Sequence, residues 1–459
     1  MIGLQNSQTS WKKWMVSVPL GLSLAISSAA GVSAHGNEHH TAKPMVDTPA
    51  VELRSTLDQL LSEHAYLAVV AMRKGVDGKA DFDAAAGALN KNTEDLSAAI
   101  GSVYGDEAGA QFKKMWGDHI GFFVEYFQAT AKKDEAGKKA ALDKLNNYRA
   151  DFSKFLETAT GERLEAGALA EGLQMHVNQL IGAFDAYVAG DYAKAYEYEH
   201  EATSHMYMVS KGLSSAISDQ FKDKFENSKA VTPAADLRSN LNQLMTEHAS
   251  LAVLAMQNGI DGSPDFEASA ASLNENTEAL SKAIGSIYGE EAGAQFKEMW
   301  SAHIGNFVDY VKATGAKDET KKEEAQKALD SYRAEFSKFI ETATEGRVKA
   351  DGLSQGLQEH VNQLTASFDA YAAKDYDTAY EKAREAYAHM LMPAKGLSGA
   401  FVDQFPDKFQ ENMPSDMPKT GMGGMSHENG MAEQWMLLGL LPAAALVMYM
   451  ARRKMAENK

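Results

Sequence analysis

The chain has 459 residues, no cysteine and a formal net charge of −18. That length suits two or three domains. The acidic balance argues against nucleic acid, whose phosphates need Lys and Arg, and the absence of cysteine removes disulfides, thiolate metal sites and cysteine nucleophiles.

At the start of the chain, Lys12 and Lys13 precede a mostly apolar run from Met15 to Ile26, and Val32-Ser33-Ala34 is a small-residue cleavage site. This pattern predicts an export signal over 1–34. The processed chain would begin at His35, with a leader over 35–50 that also holds His39 and His40. A terminal histidine can chelate Cu(II) through its amine and ring; the other reading is a polar leader with no ligand.

The central region repeats itself. LRSTLDQLLSEH (Leu53 to His64) matches LRSNLNQLMTEH (Leu237 to His248), and AIGSVYGDEAGAQFKKMW matches AIGSIYGEEAGAQFKEMW, at a constant offset of 184 positions. Two tandem domains are expected, 51–228 and 235–411, with a short linker around Thr232-Pro233. Ala, Leu, Lys, Glu and Gln dominate each copy, and apolar residues recur at i, i+3, i+4, i+7. The fold class is therefore all-α, with six helices in the first copy near 51–74, 82–103, 106–132, 135–159, 166–189 and 191–221. Asp81 and Asp265 are expected N-caps. The acidic loop DGKADFD lacks the spacing and closing Glu of a calcium-binding EF-hand.

Four histidines of the first copy fall on inward-facing stripes: His64, His119, His176 and His205, each on a different helix. The second copy repeats them as His248, His303, His360 and His389, whereas His200 becomes Arg384. An inward imidazole must find a partner, because burying an unpaired polar ring costs a few kcal/mol. Either each ring bonds a separate neighbour, or the rings of one copy converge on a metal ion, as facing side chains in helix bundles do. Glu201 and Glu385 stand four residues before His205 and His389, as ligands or as groups that orient the ring. Met206, Met208, Met390 and Met392 flank the same histidines; they fill the core or, with imidazole, favour copper, especially Cu(I). Glu63 and Glu247 adjoin their histidines and should point about 100° away, behind the ligands or to the surface. Zinc, iron and haem remain possible, haem because Trp116, Phe122, Phe123 and Tyr126 surround His119. A ferritin-like di-iron site wants two Glu-x-x-His pairs plus further Glu residues on facing helices, whereas the repeats show Glu-x-x-x-His once each, at Glu201–His205 and Glu385–His389.

The last segment, 412–459, holds Met417-Pro418-Lys419-Thr420-Gly421, then an apolar stretch from Trp435 to Met450, then Arg452-Arg453-Lys454. As a helix the apolar stretch would be roughly 24 Å long, slightly short of the ~30 Å hydrocarbon core, with the basic tail on the cytoplasmic side. The order resembles the LPxTG sorting signal of Gram-positive surface proteins, with Met417 in place of Leu. The resemblance implies sortase cleavage between Thr420 and Gly421, attachment to peptidoglycan, a linker over 412–434 and a transmembrane anchor over 435–459 before processing. The expected location is the wall of a Gram-positive bacterium.

The tandem units, with EHAxLAVxAM, MWxxHIGxFVxY and LQxHVNQL, resemble a group of exported helical repeat proteins of Gram-positive bacilli over nearly all of 51–411. Some members carry the name copper amine oxidase. The resemblance implies copper rather than amine oxidation. The oxidases themselves are β-rich and build their cofactor from a Tyr in an Asn-Tyr-Asp/Glu context, where this chain has Asn147-Tyr148-Arg149 and Ser331-Tyr332-Arg333. The leading expectation is a surface-anchored, metal-binding repeat protein, copper favoured, for capture, buffering or sensing. A structural or adhesive spacer comes second. A metal-dependent oxidoreductase comes last, because no nucleophile, phosphate loop or acid/base dyad is recognisable.

Overall fold

The computed structural model describes residues 43–411. All regular structure there is helical. The first copy forms α1 (Pro49–Val76), α2 (Phe82–Tyr104), α3 (Asp106–Ala131), α4 (Glu135–Ala159), α5 (Ala166–Val188) and α6 (Tyr192–Gln220). The second forms α7 (Pro233–Asp261), α8 (Phe266–Tyr288), α9 (Glu290–Ala316), α10 (Glu319–Ala343), α11 (Ala350–Ala372), α12 (Tyr376–His389) and α13 (Leu391–Gln404), then a 3-10 turn, Pro406–Phe409. In the first copy the helix ends fall within two residues of those read from periodicity.

The start signals explain these boundaries. Pro49 and Pro233 occupy the first turn of α1 and α7, where a fixed φ and a missing N–H cost nothing. Asp134, Asp191, Asp318 and Asp375 accept N-cap hydrogen bonds from the first turns of α4, α6, α10 and α12. Asp81 and Asp265 stand at the N-cap position of α2 and α8 but make no cap bond. Their buried carboxylates accept instead from Tyr380 (2.9 Å) and Tyr196 (3.0 Å) of the opposite copy.

One helix of the first copy becomes two in the second. Pro393 stands where α6 has Val209. It cannot donate to the His389 carbonyl four residues earlier, and its ring crowds that carbonyl. The helix therefore breaks at Met390, between α12 and α13.

Within each copy, successive helices pack against one another, and the sixth returns to the first, α6 against α1 and both α12 and α13 against α7. The copies also pack on each other. α1 lies against α7, α6 against α8 and α12 against α2. A core of buried residues that includes Tyr66, Val70, Leu254, Phe368, Tyr380 and Tyr387 draws on both copies.

The contacts between copies obey a pseudo-two-fold. Arg54 bonds Asp236 at 2.6 Å, and its equivalent Arg238 bonds Glu52, the equivalent of Asp236, at 2.8 and 2.9 Å. His200 bonds the Glu247 carboxylate, and its equivalent Arg384 bonds Glu63, the equivalent of Glu247, at 3.0 and 2.8 Å. Asn242 donates to Asp58, its own equivalent 184 positions earlier, at 3.3 Å. Equivalent positions of α1 and α7 thus meet, so the two helices run parallel and in register along the axis. A polar pair in such a seam fixes register, as a single buried Asn does in a parallel coiled coil.

The expected membrane-spanning helix is not found: no helix among the described residues is long and apolar enough to cross a membrane. Even α1 and α7, buried along most of their length, carry charged and polar residues such as Arg54, Asp58, Glu63, Arg238 and Asn242. This overturns the expected transmembrane helix and the wall location that rested on such an anchor. The expected signal (1–34), His35, the sorting motif Met417 to Gly421 and the apolar stretch over 435–450 lie outside the described residues.

Candidate metal centre

Three of the four inward histidines in each copy come together. His64 on α1, His119 on α3 and His176 on α5 offer ring nitrogens that all lie within 4.8 Å of one another. His248 on α7, His303 on α9 and His360 on α11 do the same. The rings are 1–4 % exposed in the first triad and 1–2 % in the second. Ring centroids stand 5.3 and 6.0 Å apart from His64 to His119 and His176, and 6.0 Å apart for each pair of the second triad.

Local sequence places each histidine on its helix, and the packing of the helices brings the three together. Each histidine sits near the middle of its helix, where intrahelical bonds satisfy the backbone and the side chain alone decides what is buried. Trp116, one turn before His119, reaches back to α1, and its indole Nε1–H donates to Nδ1 of His64 at 3.3 Å. Trp300 repeats the bond to His248 at 3.3 Å. Tyr148 on α4 stacks on His119 at 4.9 Å, and Tyr332 on α10 stacks on His303 at 4.6 Å. The MWxxH spacing carried the signal for the tryptophan, but its hydrogen bond crosses between helices and could not be read from the chain. With indole and phenol rings packed this closely, a porphyrin has no room between the imidazoles.

Burial dominates the electrostatics. It pushes His119 and His303 down to about 3 and His248 down to about 4. His64, His176 and His360 are likewise held well below the ordinary imidazole value, by burial first and then by the neighbouring imidazoles. All six rings are neutral at neutral pH, the form that binds metals. Nε2 of His64, Nδ1 of His119 and both nitrogens of His176 meet no hydrogen-bond partner in the protein, and His248, His303 and His360 repeat the set. Each such nitrogen costs roughly 1–3 kcal/mol unless something else meets it.

The remaining sequence candidates fall elsewhere. His389 bonds the carbonyl of Gly356 through Nε2 at 2.9 Å, and His205 faces the equivalent Gly172. Both glycines precede a triad histidine by one helical turn. Glu385 is bonded to Lys382 at 2.8 Å, and Glu201 is half-buried on the α6 surface. Met206 and Met390 are buried in the core, whereas Met208 and Met392 face outward. Glu63 is not at the surface: it is buried, accepting from Asn92 at 2.8 Å and from Arg384.

Comparison of the chain with family models, curated proteins and solved structures returned no match.

Proposed function

We propose that each triad binds one metal ion, that Cu(I) is the ion it holds best, and that the protein serves to capture or buffer that ion. The fold is read as two six-helix units, each built around one such centre. The observation that carries this is the buried convergence of three neutral imidazoles with nitrogens that meet no protein partner. Imidazole–metal bonds of ~2.0–2.1 Å bring ligand nitrogens to roughly 3.5 Å from one another, so ring rotations of about 1 Å complete the site.

Charge selects among ions. The triads supply no carboxylate and no thiolate. A divalent ion would leave two positive charges in a low-dielectric core, whereas Cu(I) leaves one, and the cost of an uncompensated buried charge rises steeply with its size. Imidazole suits copper, zinc, nickel and iron alike, so burial rather than donor type favours the monovalent ion. Rings at most 4 % exposed also favour holding an ion over turning over a substrate. The sorting-type motif carries no part of this reading.

The test is metal titration and elemental analysis of the purified protein beside a variant with His64, His119, His176, His248, His303 and His360 changed to Ala. The expected result is two Cu(I) ions more per wild-type chain than in the variant. Equal occupancy of the two proteins by copper, zinc and iron would sink the proposal and leave a helical spacer.

A further inference from the structure

Each triad is sealed by its own packing, so an ion must be handed inward by side chains. One stripe on α6 has the composition for this. Glu201, His205 and Met208 stand at i, i+4, i+7, and Glu385, His389 and Met392 repeat the spacing across α12 and α13. Met208 is 44 % exposed and Met392 69 %. Exposed methionines at the same place in both copies are unexplained by packing. Val124 and Val308 also recur at the surface, but they offer no donor atom.

Inward from the thioether lies the fourth histidine. His389 is partly exposed and His205 is buried. Each lies against a glycine of the fifth helix of its copy, Gly356 or Gly172, where an added Cβ would sit 3.9 or 3.7 Å from Nε2. One turn further along that helix stands the triad histidine, His360 or His176. The thioether thus stands at the surface, the fourth imidazole against the glycine, and the triad one helical turn beyond that glycine.

We propose that Met208–His205 and Met392–His389 are entry sites through which a soft monovalent cation, Cu(I), reaches the triads. This rests on the triad reading and adds a route to it. Thioether and imidazole are the donors that hold Cu(I) without demanding a charged ligand, and a weak outer site lets the ion leave again for the stronger inner one. Glu201 adds negative charge beside the first route; in the second, Lys382 engages the equivalent Glu385.

The experiment loads the full chain anaerobically from chelator-buffered Cu(I) and follows tryptophan emission. It compares wild type with Met208→Leu/Met392→Leu, a volume-conserving change, and with His205→Ala/His389→Ala. The protein lacking all six triad histidines supplies the background. The expected result is loading at least tenfold slower in both variants with final occupancy unchanged, and Zn(II) loading of the Leu variant at the wild-type rate. Wild-type Cu(I) kinetics in the Leu variant would overturn the route, as would equal slowing of Zn(II). Loss of occupancy would overturn it too, by making these residues ligands of the final site. A wild type that takes up no Cu(I) above background would overturn the triad reading itself, and the route with it.

Discussion

The indole N–H of Trp116 lies 3.3 Å from Nδ1 of His64 and donates to it, and Trp300 stands in the same relation to His248. A neutral imidazole has one lone pair in the ring plane. While the indole uses it at Nδ1, the proton sits on Nε2, and neither nitrogen can take a metal. An ion that binds His64 must therefore displace the indole or force the proton to Nδ1, which ends the same bond.

Trp116→Phe and Trp300→Phe should consequently tighten metal binding, because they remove a competitor worth about 1 kcal/mol, or roughly fivefold in affinity. Competition against a chelator of known strength measures this. In the wild type, Trp emission should change on loading. Weaker binding in both Phe variants, with unfolding midpoints preserved, would show that the indole supports the site instead of competing for it.

The depressed histidines make the metal-free protein acid-labile. His119 and His303 are held at about 3 and His248 at about 4, against about 6.5 in an unfolded chain. The unfolded state therefore takes up protons first. The stability is fully present above pH 6.5 and is lost as pH falls from there towards 3–4, by about 2 kcal/mol per ring between pH 7.5 and pH 5. Urea midpoints at the two pH values measure it. His119→Phe/His303→Phe should lose less on acidification, and a loss equal to that of the wild type would contradict the assignment.

Asp58 is fully buried against Asn242 on the pseudo-two-fold, and burial raises its pKa although Arg54 opposes the shift. A carboxyl that resists ionisation in the folded state costs stability above the unfolded value of about 4. Asp58→Asn should therefore stabilise the protein at pH 7, by about 1–2 kcal/mol, with the gain vanishing near pH 4. Chemical denaturation at both pH values provides the check. A destabilised variant at pH 7 would mean that the ionised carboxylate is needed by Arg54.

Helices α2 and α3 approach closely at Gly109, where an added Cβ would lie 2.8 Å from the Ser97 carbonyl; at Gly293, between α8 and α9, it would lie 2.7 Å from that of Ser281. Either Gly→Ala change must push helices apart, at about 1–3 kcal/mol. Gly117, with nothing within 4 Å, is the control: Gly117→Ala should be neutral or stabilising by up to about 1 kcal/mol. Thermal unfolding of the three variants separates the cases, and equal midpoints would show that the helix pairs yield freely.

The sequence by itself determined the helices, the duplication and the inward histidines. Those depend on local periodicity, on capping residues and on identity between copies, all of which are written along the chain. It also exposed the contrast of His200 with Arg384, without a reason for it. Tertiary structure alone decided which three of four inward rings converge. A stripe fixes the face of a helix but not the rotation and depth of its neighbours, and those place His205 against Gly172 rather than in the triad. It also decided that the copies lie side by side about parallel first helices, which makes His200 and Arg384 equivalent arms reaching to Glu247 and Glu63. Such pairings join residues far apart in sequence, and only the packed chain brings them within reach.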